Sequence, residues 1–193
     1  QFAGMAERLY MDIYICPTCG EKIEKETKKL GYAIHNHYVK EIGKKFLDRG
    51  YFVIQEGKIP SIPENWYDPR FENIKIEYTS RNWKNVISKW REPDLMILEN
   101  SKLAKIIEVL GTADDYRILA AKVAKINRFI MPPETIVFNA VKYVNRFLNS
   151  ARQMKLSEIL GFKPNTYEEV DQYYHELLEK EYKLKFSFWT EEN

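Results

Sequence analysis

Asp94 and Glu108 are the residues whose types and setting most directly suggest chemistry. Asp94 follows Pro93 at the head of the run Asp-Leu-Met-Ile-Leu98, and Glu108 stands fourteen residues later inside Ile106-Ile-Glu-Val109. If the two runs are strands of one hairpin, the carboxylates face each other. A mid-strand Glu between Ile and Val is costly to bury alone, so it needs a cation, a hydrogen-bond donor or a metal beside it. Hard divalent cations such as Mg²⁺ take carboxylate oxygens and keep several waters, which suits an Asp/Glu pair beside a phosphate. The plainer arrangement has Asp94 capping the start of its strand and Glu108 paired with a surface Lys.

A second group is Cys16-Pro-Thr-Cys19-Gly20, half of a zinc-ribbon knuckle, in which a small turn aims both sulfurs at one ion. Tetrahedral Zn²⁺ needs two further ligands, and the nearby histidines are His35 and His37, at a spacing unlike ordinary fingers. Zinc, including zinc shared between two subunits, a disulfide and free thiols all fit the pair. Basic residues form a third group. Lys142, Arg146 and Asn149 recur at helical spacing opposite Val144, Phe147 and Leu148, and Lys125 and Arg128 extend the same basic surface, which would neutralise phosphates without reading sequence. An ordinary solvated face has the same pattern.

The elements that must position these residues can be read from periodicity. Between Lys22 and Arg49, Ile34, Tyr38, Ile42, Phe46 and Leu47 recur at helical spacing until Gly50, and Tyr51 to Ile54 is β-rich. Residues 60–90 read as an insertion, ambiguous between strand and helix from Asn73 to Trp90. Its aromatics Trp66, Tyr67, Tyr78, Trp83 and Trp90 either stack on bases or pack it. Pro93 to Leu98 and Ala104 to Leu110 form a hairpin with a turn from Glu99 to Lys102. Gly111 to Asp115 caps a helix carrying Leu119, Val123, Ile126 and Ile130, which Pro132-Pro133 ends. A strand at Glu134 to Phe138, a helix at Val141 to Met154, an acidic helix at Thr166 to Tyr182 and an edge strand at Lys183 to Phe188 follow. This order implies an α/β chain with a mixed sheet and helices on both faces.

Composition bounds the class. The 193 residues, 45% of them hydrophobic, can fill one core, and no run reaches the roughly 18 apolar residues that a membrane span needs. Gln1 to Ala6 lacks the pattern of a secretory signal, and two cysteines cannot form a disulfide scaffold. An intracellular, cytoplasmic protein without membrane contact is expected. The net charge of +2 hides an uneven spread: Lys102 to Lys155 holds ten Lys or Arg against four acids, and Glu158 to Asn193 is acidic. A polyanion-facing surface beside a solvated one is compatible with that split.

Pro93-Asp94, the hairpin, Glu108 and the following helix resemble the PD-(D/E)XK nuclease superfamily, which includes restriction enzymes and Holliday junction resolvases. Asp48-Arg-Gly-Tyr-Phe-Val-Ile54 is similar to the helix-to-strand join of archaeal junction resolvases, and the likeness extends, more weakly, to nuclease-like proteins of archaeal viruses. It covers roughly residues 30 to 140. The implied fold is a restriction-endonuclease-like mixed sheet within residues 30–155, between a CxxC-bearing segment at 1–29 and an acidic helical C-terminal extension at 156–193.

The resemblance implies that Asp94 and Glu108 ligate Mg²⁺ or Mn²⁺ and that a Glu of the first helix completes the set. Glu41 is the nearest carboxylate, and His37, one helical turn away, is the alternative ligand. The family pattern also wants a Lys two residues after Glu108, where this chain has Leu110. Lys122 and then Arg117, in the first turns of the next helix, are the available substitutes; without such a cation the chain would bind DNA and leave it uncut. The expected activity is metal-dependent endonucleolytic hydrolysis of DNA, including branched or recombination intermediates. A homodimer is expected as well, because related resolvases cut two strands.

Overall fold

The computed structural model describes residues 11–72, 91–110, 115–130, 134–140, 150–190 and 193. A two-stranded hairpin, β1 (Met11–Ile15) and β2 (Lys22–Glu26), opens the described chain and leads directly into helix α1 (Thr27–Asp48). Sequence periodicity assigns Lys22 to Glu26 to the helix, but these residues pair antiparallel with β1, Ile15 opposite Lys22 and Met11 opposite Glu26. Only one of the five is apolar, so their local pattern carries no strand signal and the pairing alone makes them one. Gly50 stops α1 as expected: its φ of +90° suits the residue after a helix end, and its N–H donates to Leu47 O.

The main sheet holds β3 (Phe52–Gln55), β4 (Leu95–Glu99), β5 (Lys102–Leu110), β6 (Glu134–Asn139) and β7 (Ser187–Phe188), adjacent in that order. The first three form an antiparallel meander, while β6 lies parallel to β5 and β7 parallel to β6. A parallel neighbour requires a crossover, which helix α2 (Asp115–Phe129) supplies between β5 and β6. Helices α3 (Ser150–Leu160) and α4 (Tyr167–Lys180) lie between β6 and β7 in the chain. The architecture is therefore α/β with a mixed sheet flanked by helices.

Strand alternation sorts the core into two layers. Leu95, Ile97, Ile107, Val109, Ile136 and Phe138 pack against α1. Leu110 and Val137, on the opposite face, pack with Leu119 and Val123 of α2, Leu156 of α3 and Val170 of α4. Glu108 is two residues from Leu110 and so shares the α2 face. Thr166 caps α4 by accepting from Glu169 N, and Glu169 Oε2 reaches back to Asn165 N. Asn127 of α2 grips the segment before β7 with two hydrogen bonds to the Lys185 backbone.

In the expected insertion, the described part packs against the body. Trp66 meets Phe129 edge-on, and Tyr67 packs against the α2-side core and donates to Glu72 Oε2. Tyr78, Trp83 and Trp90 lie outside the described residues, as do the Pro132-Pro133 stop and the 141–149 part of the expected helix. Among the described residues no helix is long and apolar enough to cross a membrane.

Candidate active site

The β4–β5 hairpin turns at Asn100 and Ser101, whose φ values of 50° and 65° give the twist a two-residue connection needs. Asp94, just before β4, thereby lies against the far end of β5, and its Oδ2 accepts from Val109 N at 2.7 Å. Glu108 is buried beside it, only 4% exposed.

Lys122 closes the group. It lies three residues beyond Leu119 on α2, hence on the face packed over β5. Its Nζ is 2.7 Å from Glu108 Oε2 and also donates to Glu92 O at 3.2 Å. Leu110, at the position where a Lys is expected by resemblance, is packed in the apolar core beneath α2. The cation therefore reaches the acids from the helix above the sheet.

His35 of α1 approaches from the other side, its Nε2 3.3 Å from Asp94 Oδ1 and its Nδ1 3.1 Å from Asn36 Oδ1. Oxygen acceptors at both ring nitrogens call for a doubly protonated imidazole. Burial works against that charge, but the contact with Asp94 outweighs it and raises the His35 pKa. Burial likewise opposes ionisation of Asp94, yet Lys122 and His35 bring its pKa down to about 2. Glu108 goes the other way: burial, reinforced by neighbouring Asp94, pushes it up to about 8 despite Lys122. Two carboxylates with unequal support thus share one ammonium. Asp94 holds the charge, with Val109 N–H and His35 as donors, and Glu108 holds the proton near neutrality. Burial would also discharge Lys122, but Glu108 and Asp94 raise its pKa and keep it ionised.

The expected first-helix ligands lie elsewhere. Glu41 and His37 stand with Cys16 and Cys19 in a four-residue group that could hold a metal ion. The α1 side chain that meets Asp94 is His35, which sequence reasoning missed as a member of this site. Helical phase identifies it: at about 100° per residue, His35 falls inside the arc of Ile34, Tyr38, Ile42 and Phe46, while His37 and Glu41 fall to one side.

The expected basic surface changes too. Lys125 is fully buried, its Nζ donating to Glu64 O, and burial plus nearby Arg91 brings its pKa down to about 8. It sits on the inward face of α2 between Ala121 and Ile126, so it offers no surface charge to a polyanion. Arg128 is exposed. Lys142, Arg146, Asn149 and the Arg117 side chain lie outside the described residues. Compared with models of protein families, with curated proteins and with solved structures, the chain matches none.

Proposed function

We propose that this chain is a metal-dependent endodeoxyribonuclease of the PD-(D/E)XK type, with Asp94, Glu108 and Lys122 as its catalytic residues. The observation that carries the reading is the ammonium of Lys122, 2.7 Å from Glu108 Oε2 in a buried group with Asp94. It supplies from α2 the cation that Leu110 cannot. The meander of β3, β4 and β5 followed by the α2 crossover to parallel β6 is also the element order of a restriction-endonuclease-like core.

The acids fit a divalent cation. Both are hard oxygen donors, and Glu108 Oε1 is buried with no hydrogen-bond partner among the described residues. A cation held by Asp94 and Glu108 would acidify an attacking water and offset charge on the leaving oxygen. The chain's own groups do the remainder. Val109 N–H and His35 fix the Asp94 carboxylate, Lys122 offsets negative charge gathering on the phosphate, and Glu92 O anchors that ammonium. Hydrolysis breaks one P–O bond and adds one water, leaving a phosphate end and a hydroxyl end. DNA is the proposed partner, bound as a homodimer that would address two strands.

The test incubates the protein with Mg²⁺ or Mn²⁺ and linear, nicked, flapped and four-way DNA, beside Asp94→Asn and Glu108→Gln. Cleavage by the parent and its loss in both variants is expected. Cleavage untouched by both substitutions would remove the site assignment. Binding without cleavage of any substrate would replace the enzyme with a DNA-binding protein on the same core.

A further inference from the structure

We infer that Cys16, Cys19, His37 and Glu41 form a tetrahedral zinc site that fastens the β1–β2 hairpin to helix α1. The knuckle half is formed by backbone. Cys16 N donates to Glu21 O, Gly20 N donates to Cys16 O, both at 2.9 Å, and Gly20 turns the chain with a φ of +77°. This turn places both sulfurs at one end of the hairpin, the buried Cys16 inward and the exposed Cys19 outward. Helix α1 brings the other half, because His37 and Glu41 are four residues apart and share a face.

The distances fit one ion. The four donor atoms all lie within 4.8 Å of one another. Cys16 Sγ is 3.7 Å from Glu41 Oε1, Cys19 Sγ is 3.7 Å from His37 Nε2, and His37 Nε2 is 3.5 Å from Glu41 Oε1. Tetrahedral zinc with bonds of about 2.0 to 2.3 Å has ligand-to-ligand edges of roughly 3.3 to 3.8 Å. These three edges lie inside that range. Both cysteines are free, so the sulfurs are available to an ion.

Outside the four donors, the Glu21 carboxylate lies 3.0 Å from His37 Nδ1. A carboxylate on the far ring nitrogen fixes the tautomer and turns Nε2 towards the ion, as expected of a metal-binding histidine. The donor set also selects the metal: two thiolates and an imidazole disfavour Mg²⁺, and four ligands of this kind in tetrahedral array suit Zn²⁺. With three ligands buried or half-buried and all four from the protein, the site is closed and structural. It uses no residue of the Asp94 group.

The test measures metal on the full chain purified without chelator, then repeats it for Cys19→Ser, Glu41→Gln and Glu21→Gln. Cys19 is exposed and Glu41 and Glu21 are not core residues, so these variants separate metal loss from unfolding. One zinc per chain is expected, with most of it lost in Cys19→Ser and zinc affinity about ten- to a hundredfold weaker in Glu21→Gln. Co²⁺ in place of zinc should give tetrahedral thiolate absorption, and chelation should expose the β1–β2 hairpin to limited proteolysis while the main sheet stays protected. Three outcomes would overturn the proposal: no bound zinc and no cobalt–thiolate absorption; a Cys16–Cys19 disulfide in protein kept reduced; or one zinc per two chains with chelation splitting a dimer.

Discussion

The Lys122 ammonium and the Glu108 carboxyl group meet in a buried contact that joins α2 to β5, with Nζ and Oε2 2.7 Å apart. It links two elements that also share an apolar core through Leu110, Leu119 and Val123, and Asp94 lies beside it. Replacing Lys122 with Met leaves two neighbouring acids without their cation. DNA cleavage should fall by about a hundredfold to a thousandfold, the usual effect of removing one stabiliser of transition-state charge. Adding Leu110→Lys, which puts a cation where the PD-(D/E)XK pattern would have one, should not rescue cleavage and should lower Tm, because Leu110 is packed with Leu119 and Val137. Single-turnover rates and thermal melts of the three proteins check this.

Glu108 gives the protein a pH signature. In the fold its pKa stands at about 8, above the ordinary 4.5, because burial disfavours the carboxylate. Between those values the folded chain keeps a proton that the unfolded chain has released, so stability declines as pH rises across that window. Melts from pH 5 to 8.5 without added divalent cation should show the decline, and Glu108→Gln should make it shallower. An unchanged slope in that variant would assign the decline to other groups.

His35 contributes a decline of the same sign. Its folded pKa is raised by Asp94, so its contribution is complete below about pH 6.5 and is lost as pH rises through the folded value. An NMR titration of the His35 ring should give a pKa above that of a free histidine. In Asp94→Asn it should return towards the free value.

The β4–β5 turn carries positive φ at two residues that are not glycine, Asn100 and Ser101. Ser101→Gly produces the Asn-Gly pair that such turns favour, and should raise stability by up to about 1 kcal/mol. Chemical denaturation of the variant would measure it; a loss of stability would mean that the Ser101 side chain contributes more than its strain costs.

The sheet is legible from the sequence because its strands are buried and bounded by turn residues: the apolar runs beside Asp94 and around Glu108, joined by a short turn, give the hairpin, and Leu119, Val123 and Ile126 give the α2 crossover. The approach of Lys122 to Glu108 follows from its place in the first turns of α2, three residues beyond Leu119 on the face packed over β5. Two things were hidden. Lys22 to Glu26 becomes a strand only through its partner. Position along the chain points to Glu41 and His37 for the first-helix contribution, whereas the face of a helix is set by angle about its axis, and that angle selects His35. Lys125 shows the same lesson in reverse, a charge that reads as surface and lies inside.

His35 and His37 are two residues apart on α1, about 200° around its axis. One ring meets Asp94 and the other stands with the two cysteines. The helix behaves as an axle with a bearing on either side. Any roll that shortens one contact displaces the other, so the spacing of the acidic group and that of the sulfur group cannot be retuned independently. A substitution that shifts α1 along its packing against Ile97 and Phe138 should therefore be felt at both ends of that axle at once.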